Sequence, residues 1–426
     1  MVEDSRVVTG FFSADRSLSG RASGSLIEAE VTGVDVRGAE ATDGARPLLV
    51  CFSHLRWGFV WQRPQHLISR AARYFDVIFV EEPAAEVAET DHLRLEPVAP
   101  GVTVAVPVLA QAQSYAANRA QARLIRALLR GRPSAARVFW YYTPAAVSLS
   151  GDLPRDLTVY DNMDELSAFR GASPDLIAQE ADLIGQADLV FTGGRSLYEA
   201  KRGTHANIHC FPSSVDAEHF RAARLSDRSD PPDQAVIPRP RLGFFGVIDE
   251  RLDRDLLAAV AELRPDWHFV MIGPVVKIDP ASLPQRPNIH WLGPKTYAEL
   301  PDYLRHWDLG LMPFALNEAT RFISPTKTPE FLAAGLRVIS TPIVDVLRDY
   351  GEAGLVAVAE TPEAVVLSAE ALLFQPKDAW LEAVDQRLAT HSWDRTWAAM
   401  QALMSEAQRR SGALAAPLLH PATTAV

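Results

Sequence analysis

Ser324-Pro325-Thr326-Lys327-Thr328-Pro329-Glu330-Phe331-Leu332-Ala333-Ala334-Gly335, followed by Val338-Ile339-Ser340-Thr341-Pro342, reads as a helix running into a buried strand. Thr328 can cap the helix and Pro329 suits its first position. Such a start offers free backbone N–H groups to an anion. Lys327, just outside it and next to Thr326, adds a positive charge suited to a diphosphate. Glu330, in the first turn, can accept hydrogen bonds from both hydroxyls of a ribose. The competing reading is that Glu330 only complements the helix dipole and that Lys327 is solvated.

Working outward, this helix–strand unit is one period of an alternation that fills the chain. Toward the C-terminal end, expected strands are 242–245, 268–272, 289–292, 309–312 and 338–340, with helices near 253–263, 297–306, 328–334 and 362–374. A first series precedes it, with strands at 48–53, 76–80, 137–141, 157–160, 188–191 and 207–211 and helices from Pro64, at 112–131 and at 174–186. Strands alternating with helices imply parallel sheets wrapped on both faces. The expected fold is α/β with two Rossmann-like domains, at 46–221 and 241–390, joined by a Pro- and Asp-rich linker at 222–240. A helix at 391–411 follows, whose Trp393, Trp397, Met400 and Leu403 form a packing stripe. Residues 1–45 and 412–426 read as tails. Ligands of such sheets sit beyond the carboxyl ends of the strands, in the cleft between domains.

Composition narrows the function. A net charge of −11 argues against nucleic-acid binding, which needs a positive field. The two cysteines, Cys51 and Cys210, lie in apolar runs without metal-like spacing, which fits core packing and a cytoplasmic location. No apolar run is long enough for a membrane span. On the helix 112–131, Arg119, Arg123, Arg126 and Arg130 share one face, either a solvated surface or a contact with anionic lipid at the inner membrane surface.

In the first domain, Ser53-His54-Leu55-Arg56-Trp57-Gly58 ends the first strand at the mouth of the expected cleft. His54 could polarise an acceptor hydroxyl, and Arg63 could meet donor phosphates when the lobes close. Asp161 and Asp164 flank the end of another strand, where a carboxylate can orient an acceptor hydroxyl or take its proton; the alternative is a helix cap or Asx turn. The two aspartates are not a metal site by themselves, since no third ligand is near in sequence. In the second domain, Gly273 and Gly293 end successive strands, where they either let a ligand approach the backbone or merely turn the chain.

Several segments carry a resemblance: Trp61-Gln62-Arg63-Pro64-Gln65-His66, Tyr160-Asp161-Asn162-Met163-Asp164-Glu165, Phe191-Thr192-Gly193-Gly194, Phe211-Pro212-Ser213-Ser214-Val215-Asp216 and the stretch 324–335. With these the chain resembles GT-B glycosyltransferases, specifically the large retaining family that includes sucrose, lipopolysaccharide and mannosyl transferases. Within it the chain is similar to bacterial members of cell-surface polysaccharide pathways. The resemblance covers about residues 46–411. It implies a metal-independent, retaining hexosyltransferase using a nucleotide-diphosphate sugar and a glycan, lipid-linked or small-molecule acceptor. It places Gly246 under the donor, Arg251 near the diphosphate, and the terminal helix back on the first domain. Lys327, Arg251, Asp164 and His54 are then the candidate catalytic residues. Gly246, Arg251, Gly273, Gly293, Thr326, Lys327, Thr328 and Glu330 are candidates for the donor, and His54, Trp57, Arg63, Asp161 and Asp164 for the acceptor or cleft. One departure stands out. Family members carry two glutamates eight positions apart; Glu330 matches the second, while the first position is Phe322. Asn317, Glu318 or Thr320 could stand in for it. Two rival functions share the fold: a nucleotide-sugar 2-epimerase and a non-catalytic nucleotide-sugar-binding protein.

Overall fold

The computed structural model describes residues 46–411, apart from 112–115, 133 and 226–228. The expected tails and the start of the helix expected at 112–131 lie outside the described residues. Leu48–Phe52 (β1) is apolar throughout and buried at every position, as a strand covered on both faces must be. It lies in register between Asp76–Val80 (β2) and Arg137–Tyr141 (β5), parallel to both. The first sheet is completed by His92–Ala99 (β3), Val102–Val108 (β4), Leu157–Asn162 (β6), Leu189–Thr192 (β7) and Ile208–Cys210 (β8), in the order β3-β4-β2-β1-β5-β6-β7-β8. Only the β3–β4 pair is antiparallel. This hairpin was not expected, because Pro97 and Pro107 interrupt its pattern. Pro97 is tolerated because β3 is the sheet edge and its register shifts there, and Pro107 because it lies past Ala105, the last β4 residue paired with β2.

The second sheet comprises Arg241–Phe245 (β9), His268–Ile272 (β10), Ile289–Gly293 (β11), Leu309–Met312 (β12), Val338–Ser340 (β13) and Val356–Val358 (β14). Its order is β11-β10-β9-β12-β13-β14, all parallel. Strand order therefore reverses between β1 and β5 in one sheet and between β9 and β12 in the other. A crevice opens beyond the strand ends at each reversal. The two crevices face each other across a gap between the lobes.

The expected linker is fastened to the second lobe rather than free. Ala223 belongs to that lobe's core, and so do Val215 and Phe220, which were expected in the first domain, so the second lobe draws in chain from before position 222. Arg241 pairs with Asp230, and Gln234 accepts a hydrogen bond from Trp307 Nε1 at 2.6 Å. The terminal helix Trp393–Ser411 crosses back as expected. Trp393, Trp397, Met400 and Met404 enter the first lobe's core, and Leu403 packs at its margin. On the helix Ala117–Arg130, Arg123 pairs with Asp91 and Arg126 with Asp152, while Arg119 and Arg130 face outward. Both cysteines are free thiols, and among the described residues no helix is long and apolar enough to cross a membrane.

The segment 61–66 builds the first lobe instead of reaching a ligand. Arg63 is 2% exposed, and its guanidinium is held by Asp161 through three hydrogen bonds of 2.7–3.1 Å and by the Phe211 carbonyl at 2.7 Å. Asp161, fully buried under this pairing, does not line the gap between the lobes, and Arg63 reaches that gap only as part of its wall, with Nε, Nη1 and Nη2 each already engaged. Gln65 ties down the preceding loop by donating to the carbonyls of Trp57 and Val60. His66 stacks on Trp393 at 4.8 Å. Trp57, expected in the cleft, is instead core: it packs edge-on against Phe79, and its N–H donates to Glu81. A buried charge stripped of its partner is strongly destabilising. Arg63→Ala should therefore lower unfolding free energy by about 3–5 kcal/mol in urea titrations, whereas a loss below about 1 kcal/mol would contradict the pairing.

Candidate active site

The gap between the lobes is lined from both sides, by Arg63, Asp164 and Ser213 of the first lobe and by Arg251, Ile323 and Lys327 of the second, and encloses about 600 Å³ including its mouth. The helix Lys327–Ala333 brings Lys327 to it, with the buried Glu330 beside Lys327. This helix starts one residue earlier than expected. Thr326 precedes it without capping through its side chain, and Lys327 is its first residue. Thr328 is fully buried, with its hydroxyl against Met312 Sδ at 3.6 Å and its N–H bonded to the Pro325 carbonyl. Thr328 is thus a packing residue and not the cap. The free-amide contribution is smaller than the sequence suggested, and the cationic side chains carry most of the site's positive charge.

Lys327 fits because of two glycines. A Cβ on Gly246 would lie 1.9 Å from Lys327 Cε, and Gly246 has φ of 131°. A Cβ on Gly273 would lie 1.7 Å from the Gly246 carbonyl oxygen. Gly273 therefore serves a backbone-to-backbone approach rather than a direct ligand contact. Gly293 has φ of 68° and open space beside it, so it turns the chain at the end of β11. Burial and the nearby Arg251 push the Lys327 ammonium below its ordinary value, while burial pushes the Glu330 carboxyl up. Glu330 is 3% exposed, and Lys327 is the charge that steadies its ionised form.

Arg251 follows β9 and is gripped by the buried Asp249, with Nη2 to Oδ2 at 2.7 Å and Nε bridging both carboxylate oxygens. Its guanidinium crosses the gap to lie 5.3 Å from the Phe169 ring of the first lobe. Asp164 shares this space. Burial holds its carboxyl above the ordinary value, while Arg251, Lys277 and Lys327 pull it back. His54 is 5% exposed, and burial with the charge of Lys277 lowers its pKa to about 4. It is neutral at physiological pH.

The structure thus gathers Lys327, Arg251 and Asp164 around one gap, with Gly246 and Glu330 packed beside Lys327. It leaves out Trp57, Arg63 and Asp161 as free ligand groups, although Arg63 forms part of the wall. The suggested replacements for the missing glutamate do not line the gap either. Asn317 and Thr320 cap a turn through each other, and Glu318 is exposed beside Arg321. Phe322 packs under Arg321, at 5.1 Å. Sequence reasoning missed Lys277, Glu82, Asp249, Glu250 and Phe169. Each is a single residue on a loop, with no spacing to mark it. Among the described residues no group of three His, Cys, Asp or Glu side chains could hold a metal ion.

Comparison with known proteins bears on this arrangement. Residues 239–375 match the family Glycosyl transferases group 1. TuaH of Bacillus subtilis, assigned as a teichuronic acid biosynthesis glycosyltransferase, is 28% identical over 221 residues, 47% of this chain. The match spans about half of that relative, 54% of its length. Among solved structures, the Escherichia coli trehalose-6-phosphate protein bound with UDP-2-fluoro glucose aligns with a TM-score of 0.63 at 12% identity, covering 85% of this chain and 99% of that one. Anabaena HepE in complex with UDP and glucose aligns with a TM-score of 0.61 at 12% identity, covering 85% and 100%. Sucrose-phosphate synthase of Thermosynechococcus elongatus gives 0.60 at 12% identity, covering 86% and 97%. The chain has the GT-B fold, and its second lobe carries the match to Glycosyl transferases group 1.

Proposed function

We propose that the chain is a glycosyltransferase that moves a hexosyl group from a nucleotide-diphosphate sugar, held by the second lobe, to a glycan, lipid-linked or small-molecule acceptor in cell-surface polysaccharide synthesis. The observation that carries this reading is the meeting of Lys327 and Arg251 at one gap, with the buried Glu330 beside Lys327. The ammonium and the guanidinium suit a diphosphate, and Glu330 suits the ribose diol. UDP in one aligned structure and UDP-2-fluoro glucose in another support a nucleotide-sugar donor. Relationship to TuaH supports a cell-surface pathway.

In the proposed reaction the bond from the anomeric carbon to the diphosphate breaks, and negative charge grows on the departing phosphate. Lys327 and Arg251 are already in place to meet that charge, which is electrostatic preorganisation. The proposal includes no metal ion. Asp249 keeps the Arg251 fork oriented. A retaining outcome is part of the proposal, with Asp164 at the gap placed to orient the acceptor hydroxyl. The leaving phosphate can take the acceptor proton. Action at the cytoplasmic membrane face is also included, with Arg119 and Arg130 available to anionic lipid.

Lys327→Ala should cut transfer by about 100- to 1,000-fold, the cost of removing one preorganised charge donor, as measured by nucleoside diphosphate release. Unchanged turnover would refute the assignment. The pH dependence follows from the direction of the shift. The protonated Lys327 binds the diphosphate, and its pKa in the free protein is depressed, so affinity should fall with rising pH before the ordinary lysine range is reached. Calorimetric titration of nucleoside diphosphate from pH 6.5 to 9.5 checks this; Lys327→Arg should flatten the alkaline decline, because arginine stays charged throughout.

A further inference from the structure

Beside the gap lie polar groups that donor binding does not use, and they gather around Lys277 on the side toward β1 and β2. His54 follows β1 and Glu82 follows β2, while Glu250 and Lys277 come from two loops of the second lobe. Those two loops are tied together: Ile248 pairs with Val275, Ile248 N–H donates to the Pro274 carbonyl, and Val276 N–H donates to the Ile248 carbonyl, both at 3.0 Å. Lys277 has φ of 60°, the one non-glycine residue with positive φ among those described. A lysine in that conformation is strained, and such strain persists where surrounding structure fixes a side chain in a set direction. Here its ammonium crosses the gap to lie 4.7 Å from the Phe169 ring. Both carboxylate oxygens of Glu250 are buried without a hydrogen-bond partner, and so is Nδ1 of His54, which is 5% exposed. Buried groups of this kind call for a partner from outside the chain.

We propose that Lys277, Glu82, Glu250 and His54 form the acceptor subsite, and that it takes the hydroxyl-bearing face of an uncharged sugar rather than a carboxylate or phosphate. The proposal rests on the reading of this gap as the transfer site. A hydroxyl both donates and accepts, which matches an ammonium donor, the Glu250 carboxylate as acceptor and an imidazole that can do either. Around Lys277 stand Glu250, Asp249 and Asp164. They offset its charge together with that of Arg251, so an anionic acceptor would meet carboxylates on entering. Burial raises the Glu82 pKa to about 8, so at neutral pH its carboxyl retains its proton and can also donate to a sugar oxygen. The subsite adjoins Arg251, as attack on the donor requires.

The test uses the full chain in two steps. UDP-glucose and GDP-mannose are first screened for binding by thermal shift, and the binder is then supplied with methyl glucoside, methyl galactoside and methyl mannoside, or with methyl glucuronide and glucose 6-phosphate. The neutral glycosides should speed nucleoside diphosphate release and the charged sugars should not. Lys277→Ala should raise the acceptor KM about tenfold or more while the donor KM moves less than about threefold, and Lys277→Arg should recover most of the loss. Glu82→Ala should behave like Lys277→Ala, and Glu82→Gln should stay close to the parent at pH 7. Stimulation by the charged sugars alone or by neither group overturns the proposal, as does a parallel rise of both KM values in Lys277→Ala. Failure of every nucleotide sugar to bind in the first step removes the donor reading itself, and the subsite falls with it.

Discussion

Lys327 can occupy the floor of the gap only because residue 246 has no side chain and residue 273 lets the 246 backbone pass. Two strand ends are thereby fixed against one helix start: β9 through Gly246 and β10 through Gly273, against the helix Lys327–Ala333 that precedes β13. Everything proposed for the donor depends on this packing. It delivers an ammonium to the point where two loops and a helix meet, with little freedom left to lose on binding.

The charge arrangement follows from the same constraint. Arg251 is anchored by Asp249 rather than left to solvent, and it spans the gap to Phe169. Lys277 reaches the same ring from the neighbouring loop. Two cations of one lobe thus converge on one aromatic side chain of the other. The lobes are also joined by Ser213, whose hydroxyl donates to the Ser324 carbonyl at 2.6 Å, and by Asp345, which accepts from the Ser196 N–H at 3.0 Å. Closure and charge placement are therefore parts of one arrangement. In the proposed reaction this keeps water from the donor while the diphosphate leaves.

Much of the fold was legible in the sequence, because buried parallel strands are continuous apolar runs and because the helix start at 324–335 has a distinctive chemistry. Strand β1 and the five strands β9 to β13 were readable on that basis. The β3–β4 hairpin was not, since prolines at a sheet edge erase the alternation that marks a strand. The site was legible where a motif fixed the position, as with Lys327, Glu330 and Arg251. It misled where a motif serves packing: Arg63 and Asp161 are conspicuous in sequence because together they hold the first lobe, and pairing consumes both. Lys277 and Glu82 were invisible because their proximity arises from two lobes meeting, which no spacing along the chain encodes. The 222–240 segment misled for a related reason. Proline and aspartate suggest a loose connection, yet Asp230 and Gln234 fasten it to the second lobe.

The most direct test is a crystal structure of the chain grown with a nucleoside diphosphate. The account predicts phosphate oxygens within hydrogen-bonding distance of Lys327 Nζ and the Arg251 guanidinium, with both ribose hydroxyls on the Glu330 carboxylate. A nucleotide seated elsewhere, out of contact with Lys327 and Glu330, would contradict it.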